Sequence, residues 1–366
     1  MKTIADEKFY INVVKGVAIF LMIWGHCIQS CALDAFDYFD NWMFKIIYSF
    51  HMPLFMMVSG YLFYYSFEKR DLKELIIHRA KPLIQCIVVG NIITYFATTV
   101  VFSIFRGEFG LTILSGWINS FSGLWFLWSV LSASTIVAII SKKISQPIIQ
   151  ILLLFCGIII VFLFPNGTLN AYVYPYYIIG FLFAKYKNRI NKCILNLRYI
   201  SLLLFPISLF FFHKEHYIYT SGLFGNGYTQ SIWEIIQIDA TRWVVGFIGC
   251  IFALTVIYGL VALFEKSLGS GLRKILLRPL EKAGSSSLQI YVLSMIFVSS
   301  YLPSGYRLFI DLCGIGNFMA NNIWIYNLLF TFSLAIICTI GLFWINKALY
   351  KIKVGKCFFQ NRMNKL

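Results

Sequence analysis

Apolar runs of about 20 residues recur along the whole of this 366-residue chain, and they restrict its fold more than any other feature. A membrane-spanning helix needs a run of this length, and within lipid only helices and closed barrels satisfy the backbone hydrogen bonds. Only 13% of the residues are charged, against about 25% in an ordinary soluble domain. The runs predict an all-α membrane bundle of about ten transmembrane helices. The predicted spans are residues 10–31, 46–66, 82–105, 123–141, 147–164, 171–186, 198–213, 241–264, 283–302 and 323–346.

The distribution of the basic residues predicts the topology. The chain has 31 Lys and Arg against 15 Asp and Glu. With the spans placed as above, 26 of those 31 cations fall on one side of the membrane, which is typical of cytoplasmic segments. Both termini are therefore predicted to be cytoplasmic, and the cations to contact membrane lipids rather than nucleic acid. The five cations on the opposite side are Lys45, Arg106, Lys214, Arg242 and Arg307.

The nine cysteines are scattered, mostly within apolar runs, and none forms a CxxC pair. This spacing predicts neither a disulfide framework nor a metal site. The first apolar run is too long for a cleavable signal peptide and has no clear small-residue cleavage site after it, so we expect it to remain as the first span.

His26 is the leading candidate for a catalytic residue, because it lies within the first apolar run. An ionisable side chain at membrane depth is costly and is a functional candidate by default. Lys15 lies eleven residues earlier, within roughly 20° of the same helix face and about 16 Å away along the axis. A neutral imidazole there is suited to taking a proton from a hydroxyl, and the lysine to binding an anion. A histidine that only bonds a neighbouring helix is as good an interpretation, and a snorkelling lysine is the commoner one.

Three further residues are candidates for binding. His51 enters the second span and is a candidate to orient a substrate, although an interfacial histidine fits as well. Arg79 precedes the third span within a basic cluster, and its planar guanidinium suits a phosphate, whereas most of that cluster is expected to signal topology. Trp125 opens the fourth span and either lines a sugar-facing pocket or belongs to an interfacial aromatic belt. Aromatics also recur in the segment 214–240, where the belt is the favoured interpretation.

Taken in order, these motifs resemble the acyltransferase-3 family of integral membrane acyltransferases, within it the branch of fucose 4-O-acetylase-like and polysaccharide O-acetyltransferases. The resemblance covers essentially the whole chain. The residues that carry it are Lys15-Gly16 to Gly25-His26, Phe50-His51-Met52-Pro53-Leu54-Phe55, Ser59-Gly60-Tyr61-Leu62, Arg79 with Pro82, Leu124-Trp125-Phe126-Leu127, Pro175-Tyr176-Tyr177-Ile178-Ile179-Gly180 and Ser286 to Tyr291.

The resemblance implies that residues 1–350 form one acyltransferase domain, followed by a basic cytoplasmic tail at 351–366. It implies acetyl-CoA as donor, a saccharide or lipid-linked saccharide as acceptor, and functional roles for Lys15 and His26. The setting it implies is a bacterial inner membrane, with possible partners in polysaccharide assembly. Two positions depart from the family pattern: Ile76 stands where an Arg is frequent, with Arg70 the nearest earlier arginine, and Ser294 stands where a late His is frequent.

The residues leave several alternatives open. Acyl transfer by direct attack and transfer through an acyl-histidine are equally compatible with His26. The acceptor is a saccharide in the first interpretation, and an amino acid or lipid headgroup in another. A transporter or flippase of lipid-linked saccharide would use the same buried histidine without chemistry, and a non-catalytic scaffold would tolerate its replacement.

Overall fold

The structure is a computed structural model, and it describes residues 4–31, 37–96, 123–223, 231–267 and 277–351. Within these ranges the chain is helical and contains no strand, which confirms the all-α prediction. The α-helices are α1 Ile4–Ser30, α2 Trp42–Lys69, α3 Leu72–Thr94, α4 Trp125–Lys143, α5 Pro147–Cys156, α6 Ile158–Val161, α7 Gly167–Leu209, α8 Ile232–Ser267, α9 Arg278–Ser285, α10 Ser287–Ile296, α11 Leu302–Cys313, α12 Gly316–Asn321, α13 Ile323–Ile325 and α14 Thr331–Lys351. Two π-helical segments, Phe297–Tyr301 and Tyr326–Phe330, connect the later helices.

Among the described residues, six helices are long and apolar enough to cross a membrane. They include the predicted first, second and fourth spans, so a polytopic membrane protein is supported while the number ten and the sides of the termini remain predictions. The predicted basic tail, residues 351–366, lies outside the described residues except for Lys351. The six candidate spans are Glu7–Ser30, Trp42–Lys69, Leu72–Thr94, Trp125–Lys143, Ile232–Phe264 and Leu328–Lys351.

The predicted helix boundaries agree with the structure at one break and differ from it elsewhere. The predicted spans 171–186 and 198–213 both fall within α7, which has two helical parts separated by a kink at Tyr186, where the backbone angles are non-helical. This kink coincides with the end of the first of the two predicted spans. The third helix begins at Leu72, well before the predicted residue 82, and the predicted span 283–302 is divided between α9, α10 and a π-helical segment.

The chain divides into two compact units, which we describe separately. The first unit contains Met1–Ile47, Gln85–Leu124 and Leu260–Leu366, and the second contains Tyr48–Ile84 and Trp125–Gly259. Helices α2, α3 and α8 therefore contribute residues to both.

In the first unit, α1 lies against α9 at a very close helix crossing. A Cβ atom added to Gly16 would stand 2.6 Å from the carbonyl carbon of Leu280, and one added to Gly284 would stand 2.8 Å from the carbonyl carbon of Asn12. Farther along, the Ser30 hydroxyl donates to the carbonyl of Val298 at 3.4 Å. From the first contact to the second, the residue number rises on both chains, from Gly16 to Ser30 and from Gly284 to Val298. The chain from Gly284 to Val298 therefore runs parallel to α1.

The last helix of the first unit holds another face of α1. The Trp24 indole N–H donates to the Thr331 hydroxyl at 3.0 Å, and the Trp24 ring meets Phe332 edge-on at 5.0 Å. Phe20, one turn earlier, also packs edge-on against Phe332 at 5.5 Å. These contacts fix how α1 is rotated about its own axis, and so which way its polar residues point.

In the second unit, α2 crosses α7 through a pair of glycines. A Cβ at Gly60 would stand 2.9 Å from the carbonyl carbon of Tyr177, and one at Gly180 would stand 2.8 Å from that of Met57. Both glycines belong to motifs that carry the family resemblance. Close backbone approach explains why these positions hold glycine, as in other tightly packed membrane helices.

Candidate functional site

Helix α1 carries Lys15 and His26, and both side chains are half-buried. At 100° per residue, the α1 positions that touch the parallel chain, Asn12, Gly16 and Ser30, lie roughly 40 to 80° around the helix from His26. The stripe that joins Lys15 to His26 therefore borders the seam between α1 and that chain. The predicted arrangement of a cation and a titratable base on one face of a packed helix is present.

Two side chains of the first unit, those of Gln29 and Ser294, lie at about the level of His26 along α1. The Gln29 side chain, one turn after His26, hydrogen-bonds to the imidazole. Counting back four residues on both chains from the Ser30–Val298 contact leads to His26 and Ser294, so Ser294 lies at about the same level along the axis. Ser294 is fully buried, and its hydroxyl donates to the carbonyl of Tyr291 at 2.7 Å. Its hydroxyl is thus engaged by its own helix.

Arg79 in the second unit lies on α3 beside aromatic rings. Its guanidinium stands 5.3 Å from the centre of the Phe63 ring and interacts electrostatically with Tyr177 and Arg70. The Arg79 Nε is buried and donates to no residue in the described part of the chain. A buried N–H group without an acceptor is costly, so it favours an anionic ligand that supplies the oxygen.

Arg70 is the partner of Arg79 that sequence reasoning did not assign. It sits in the break between α2 and α3, where its Nη2 hydrogen-bonds to His78 at 3.2 Å and its Nε lies 3.5 Å from a Glu74 oxygen. Its Nη1 is buried, and within the described ranges no acceptor reaches it. The turn between α2 and α3 brings Arg70 close enough to interact electrostatically with Arg79. Arg70 therefore supplies a second arginine beside Arg79, although Ile76 stands where the family frequently has one. Its position as the nearest earlier arginine was the only sequence signal.

Three lysines of the second unit, in contrast, have partners on the protein. Lys142 lies 4.2 Å from the centre of the Phe67 ring, and Lys187 donates to the Tyr61 hydroxyl at 3.1 Å. Lys185 donates to the side chain of Gln150. The two arginines are therefore the better candidates to bind an anion.

His51 lies on α2, nine residues after the helix begins at Trp42, and is 4% exposed. From His51 to Arg70 the chain rises 19 residues, about 28 Å, which is close to the ~30 Å of a hydrocarbon core. The His51 ring meets Tyr48 edge-on at 4.9 Å. The second unit thus separates an imidazole from a pair of arginines by about one membrane thickness.

Trp125 begins α4 near the level of His51. The neighbouring Phe126 packs against Phe55 at 5.7 Å, and Phe55 lies one turn after His51 on α2. Trp125 itself is half-buried, and its carbonyl accepts from the Ser129 hydroxyl at 3.1 Å. The structure therefore brings Trp125 and His51 to the same end of the second unit.

A network centred on Arg242 lies in the second unit, and sequence reasoning missed it. Arg242 was counted only as an extramembrane cation, yet it is 1% exposed. Its Nη1 donates to Asp239, and its Nε donates to the carbonyl of His216 at 2.8 Å. The i, i+3 spacing of Asp239 and Arg242 at the beginning of an apolar run was the available signal.

Within the described ranges, no group of three His, Cys, Asp or Glu side chains is placed to hold a metal ion. The predicted site residues divide between the units. Lys15 and His26 belong to the first unit, whereas His51, Arg79 and Trp125 belong to the second.

Comparison with known proteins identifies the family. The model of a family described as an acyltransferase domain, acyltransferase family 3, matches residues 8–345. This chain belongs to acyltransferase family 3. The resemblance inferred from the motifs is confirmed, and every candidate site residue falls within the matched range.

Two curated relatives of this acyltransferase-family chain are nodulation proteins. Nodulation protein NolL of Mesorhizobium japonicum is 29% identical over 220 residues, covering 57% of each chain. Nodulation protein NolL of Sinorhizobium fredii is 30% identical over 204 residues, covering 52% of each. The chain spans about half the length of the curated relatives it matches. No solved structure matches the chain.

Proposed function

We propose that this protein is a membrane O-acyltransferase that moves an acetyl group from acetyl-CoA to a hydroxyl of a cell-surface saccharide or its lipid-linked precursor. The observation that carries the proposal is α1, a packed apolar helix in an acyltransferase-family chain, which presents His26 and Lys15 on one face. The proposed setting is a bacterial inner membrane, beside the proteins of polysaccharide assembly.

His26 acts as general base in this proposal. Its neutral imidazole takes the proton of the acceptor hydroxyl while the hydroxyl oxygen attacks the acetyl carbonyl carbon. The carbon–sulfur bond then breaks, and the thiolate of coenzyme A leaves and is protonated, so the products are an acetyl ester and free coenzyme A. The hydrogen bond between Gln29 and His26 orients the imidazole. In the acyl-histidine variant, the imidazole attacks the thioester first and the acceptor hydroxyl then attacks the acetyl-imidazole.

The donor is proposed to bind to the two arginines that have buried N–H groups without an acceptor in the described residues. Arg70 and Arg79 bind phosphate oxygens of acetyl-CoA through their buried N–H groups, with geometry that suits a guanidinium better than an ammonium. Lys15 contributes a positive charge at the beginning of the buried part of α1.

Binding of the acceptor is proposed for the other end of the second unit, where His51 and Trp125 lie. An imidazole and an indole offer a hydrogen-bonding edge and a stacking face, which together suit a pyranose ring. The distance of about 28 Å along α2 between His51 and Arg70 supports a donor and an acceptor that approach from opposite sides of the membrane.

The test is the acetyl content of surface polysaccharide in a deletion host, measured by NMR. We expect the wild-type chain to restore acetyl esters and His26→Ala, at equal membrane level, to restore none. Thr255→Ala is the control, because that hydroxyl donates to the carbonyl of Ile251 on its own helix and lies in neither candidate site. Normal acetylation by His26→Ala would refute the role of His26.

A transporter of lipid-linked saccharide is the second candidate, and interrupted helices favour it. The backbone of Ser286 is non-helical between α9 and α10, and the π-helical segment Phe297–Tyr301 follows. Interrupted helices are typical of transporter binding sites. If polymer export changes in the deletion host while acetylation stays constant, this function replaces the acyltransferase.

A further inference from the structure

Arg242 binds residues 213–223, a segment that contains a short 3-10 helix at Lys214–His216, and it does so entirely through main-chain carbonyls. Besides the bond to His216, its Nη2 donates to the carbonyls of Ser221 at 2.9 Å, Tyr217 at 3.1 Å and Glu215 at 3.3 Å. Each of its three nitrogen atoms is therefore used. A lysine in the same place has no planar fork with which to hold carbonyls that diverge in this way.

The partner of Arg242 holds the same segment at its other end. Asp239 accepts from the backbone N–H of Leu223 at 3.0 Å, in addition to its ion pair with Arg242. Gly222 adopts φ +79°, and a Cβ there would stand 2.7 Å from the Asp239 carboxylate. The Thr220 hydroxyl donates to the carbonyl of Tyr217 at 2.8 Å. A segment with little regular structure is thus fixed at both ends and in the middle.

The fixed segment holds one ring against the helix that carries His51. Tyr217 is 3% exposed, packs edge-on against Phe212 at 5.2 Å and lies 6.4 Å from the ring of Tyr48. Tyr48 in turn meets His51 at 4.9 Å. A continuous row of side chains therefore runs from the segment held by Arg242, through Tyr217 and Tyr48, to His51.

Stability alone is a weak explanation for this network. A buried ion pair loses so much hydration that apolar residues of the same volume are often as stable or more stable. A guanidinium whose three nitrogens all donate to the protein holds the bound backbone in one geometry. Such a fixed geometry is useful beside a binding site, and His51, which we propose to contact the acceptor, lies at this end of the second unit.

We infer that Arg242 is a positioning residue for the acceptor, and that it acts by fixing residues 213–223 so that Tyr217 and Tyr48 hold His51 in place. The inference rests on the proposed function, because the ligand proposed to bind at His51 is the saccharide acceptor. Arg242 contacts no substrate itself. Its role is to preorganise the acceptor-binding end of the second unit.

The test uses the full chain in detergent or nanodiscs with acetyl-CoA and a soluble oligosaccharide acceptor. We expect Arg242→Lys to raise the acceptor KM by about tenfold or more, the factor expected when hydrogen bonds to a charged group are lost, with little change in kcat at saturating acceptor. Hydrolysis of acetyl-CoA without acceptor should stay within about twofold of wild type on the same reasoning. Arg198→Lys is the matched control, because Arg198 lies over the Tyr258 ring outside this network, and its acceptor KM should not change.

A second variant tests the route by which Arg242 acts. Tyr217→Leu removes the ring but leaves the main-chain carbonyl that Arg242 binds. We expect it to raise the acceptor KM as well, while amide hydrogen exchange of residues 213–223 stays slow. In Arg242→Lys the exchange of the same residues should become fast.

The outcomes separate this inference from the proposed function. If Arg242→Lys lowers acceptor turnover and acetyl-CoA hydrolysis in the same proportion, or if only Arg242→Lys and not Tyr217→Leu alters the acceptor KM, the inference is overturned. It is also overturned if hydrogen exchange in Arg242→Lys matches wild type. If the wild-type protein consumes no acetyl-CoA, the proposed function fails, while the exchange measurement still tests whether Arg242 fixes the segment.

Discussion

Replacing Gly180 by alanine tests whether the crossing of α2 and α7 depends on glycine. The new Cβ would stand 2.8 Å from the carbonyl carbon of Met57 and 3.0 Å from the backbone nitrogen of Tyr61, with the Met57 oxygen nearer still. Since carbon atoms pack at about 3.5 Å or more, the two helices must separate by at least roughly 0.7 Å. Every atom struck belongs to the main chain, so no side-chain rotation relieves the contact.

The expected cost can be divided into two opposing contributions. Overpacking of this kind destabilises a protein by about 1–3 kcal/mol. Alanine in place of glycine within a helix stabilises it by roughly 1 kcal/mol. Gly259→Ala on α8 is the matched control, because a Cβ there meets nothing within 4 Å. The control retains only the favourable contribution, so the difference between the two variants isolates the crossing and should be about 1–3 kcal/mol.

The assay is denaturant titration of the purified variants in one detergent, followed by the KM for acetyl-CoA. We expect Gly180→Ala to lower the free energy of unfolding relative to Gly259→Ala. We also expect it to raise the donor KM, since Tyr177, which faces Gly60 at this crossing, interacts with Arg79. Equal stability of the two alanine variants would refute the close crossing as a reason for glycine.

Three further predictions concern single side chains. Arg79→Gln should raise the KM for acetyl-CoA by about 10- to 100-fold and leave that for acetyl-pantetheine, which lacks the nucleotide phosphates, nearly unchanged, as steady-state kinetics will show. Ser294→Ala should keep more than about half of the acetyl transfer activity, because its hydroxyl bonds the carbonyl of Tyr291 and not a neighbouring helix. Burial lowers the pKa of His216 below its ordinary value of 6.5, despite the opposing charge of Glu215, so the unfolded chain binds more protons and stability should fall as the pH drops below about 6.5. Thermal unfolding from pH 8 to 5 should show this fall in wild type and less of it in His216→Gln.

The sequence predicted those parts of the fold that depend on local patterns. The helices containing His26, His51 and Trp125 were placed within a few residues, because an apolar run of spanning length has one stable conformation in lipid. The kink in α7 at Tyr186 coincides with the predicted end of a span at residue 186. The third helix was placed less well: it begins at Leu72 and not at residue 82, because charged residues alone do not end a helix and residues 72–81 contain no Gly or Pro.

The sites that the sequence did not predict depend on tertiary contacts. Arg70 and Arg79 are nine residues apart with a turn between them, and no periodicity reveals that they interact. Arg242 looked like one of five cations on the sparsely charged side. Its burial follows from the return of residues 215–221 onto α8, and a return of this kind leaves no repeating pattern in the sequence.

The arginines of the second unit have two different proposed roles, positioning the backbone and binding a ligand. The two roles differ in whether the N–H groups have acceptors on the protein. Arg242 is buried, and each of its three nitrogens donates to the protein, so its guanidinium holds its surroundings in place. Arg70 and Arg79 each retain a buried N–H group that no acceptor in the described residues meets, a free-energy cost that a bound anion would remove. The first arrangement suits preorganisation and the second suits recognition. Substitution by lysine should therefore damage acceptor binding at Arg242 and donor binding at Arg79, although the chemical change is the same.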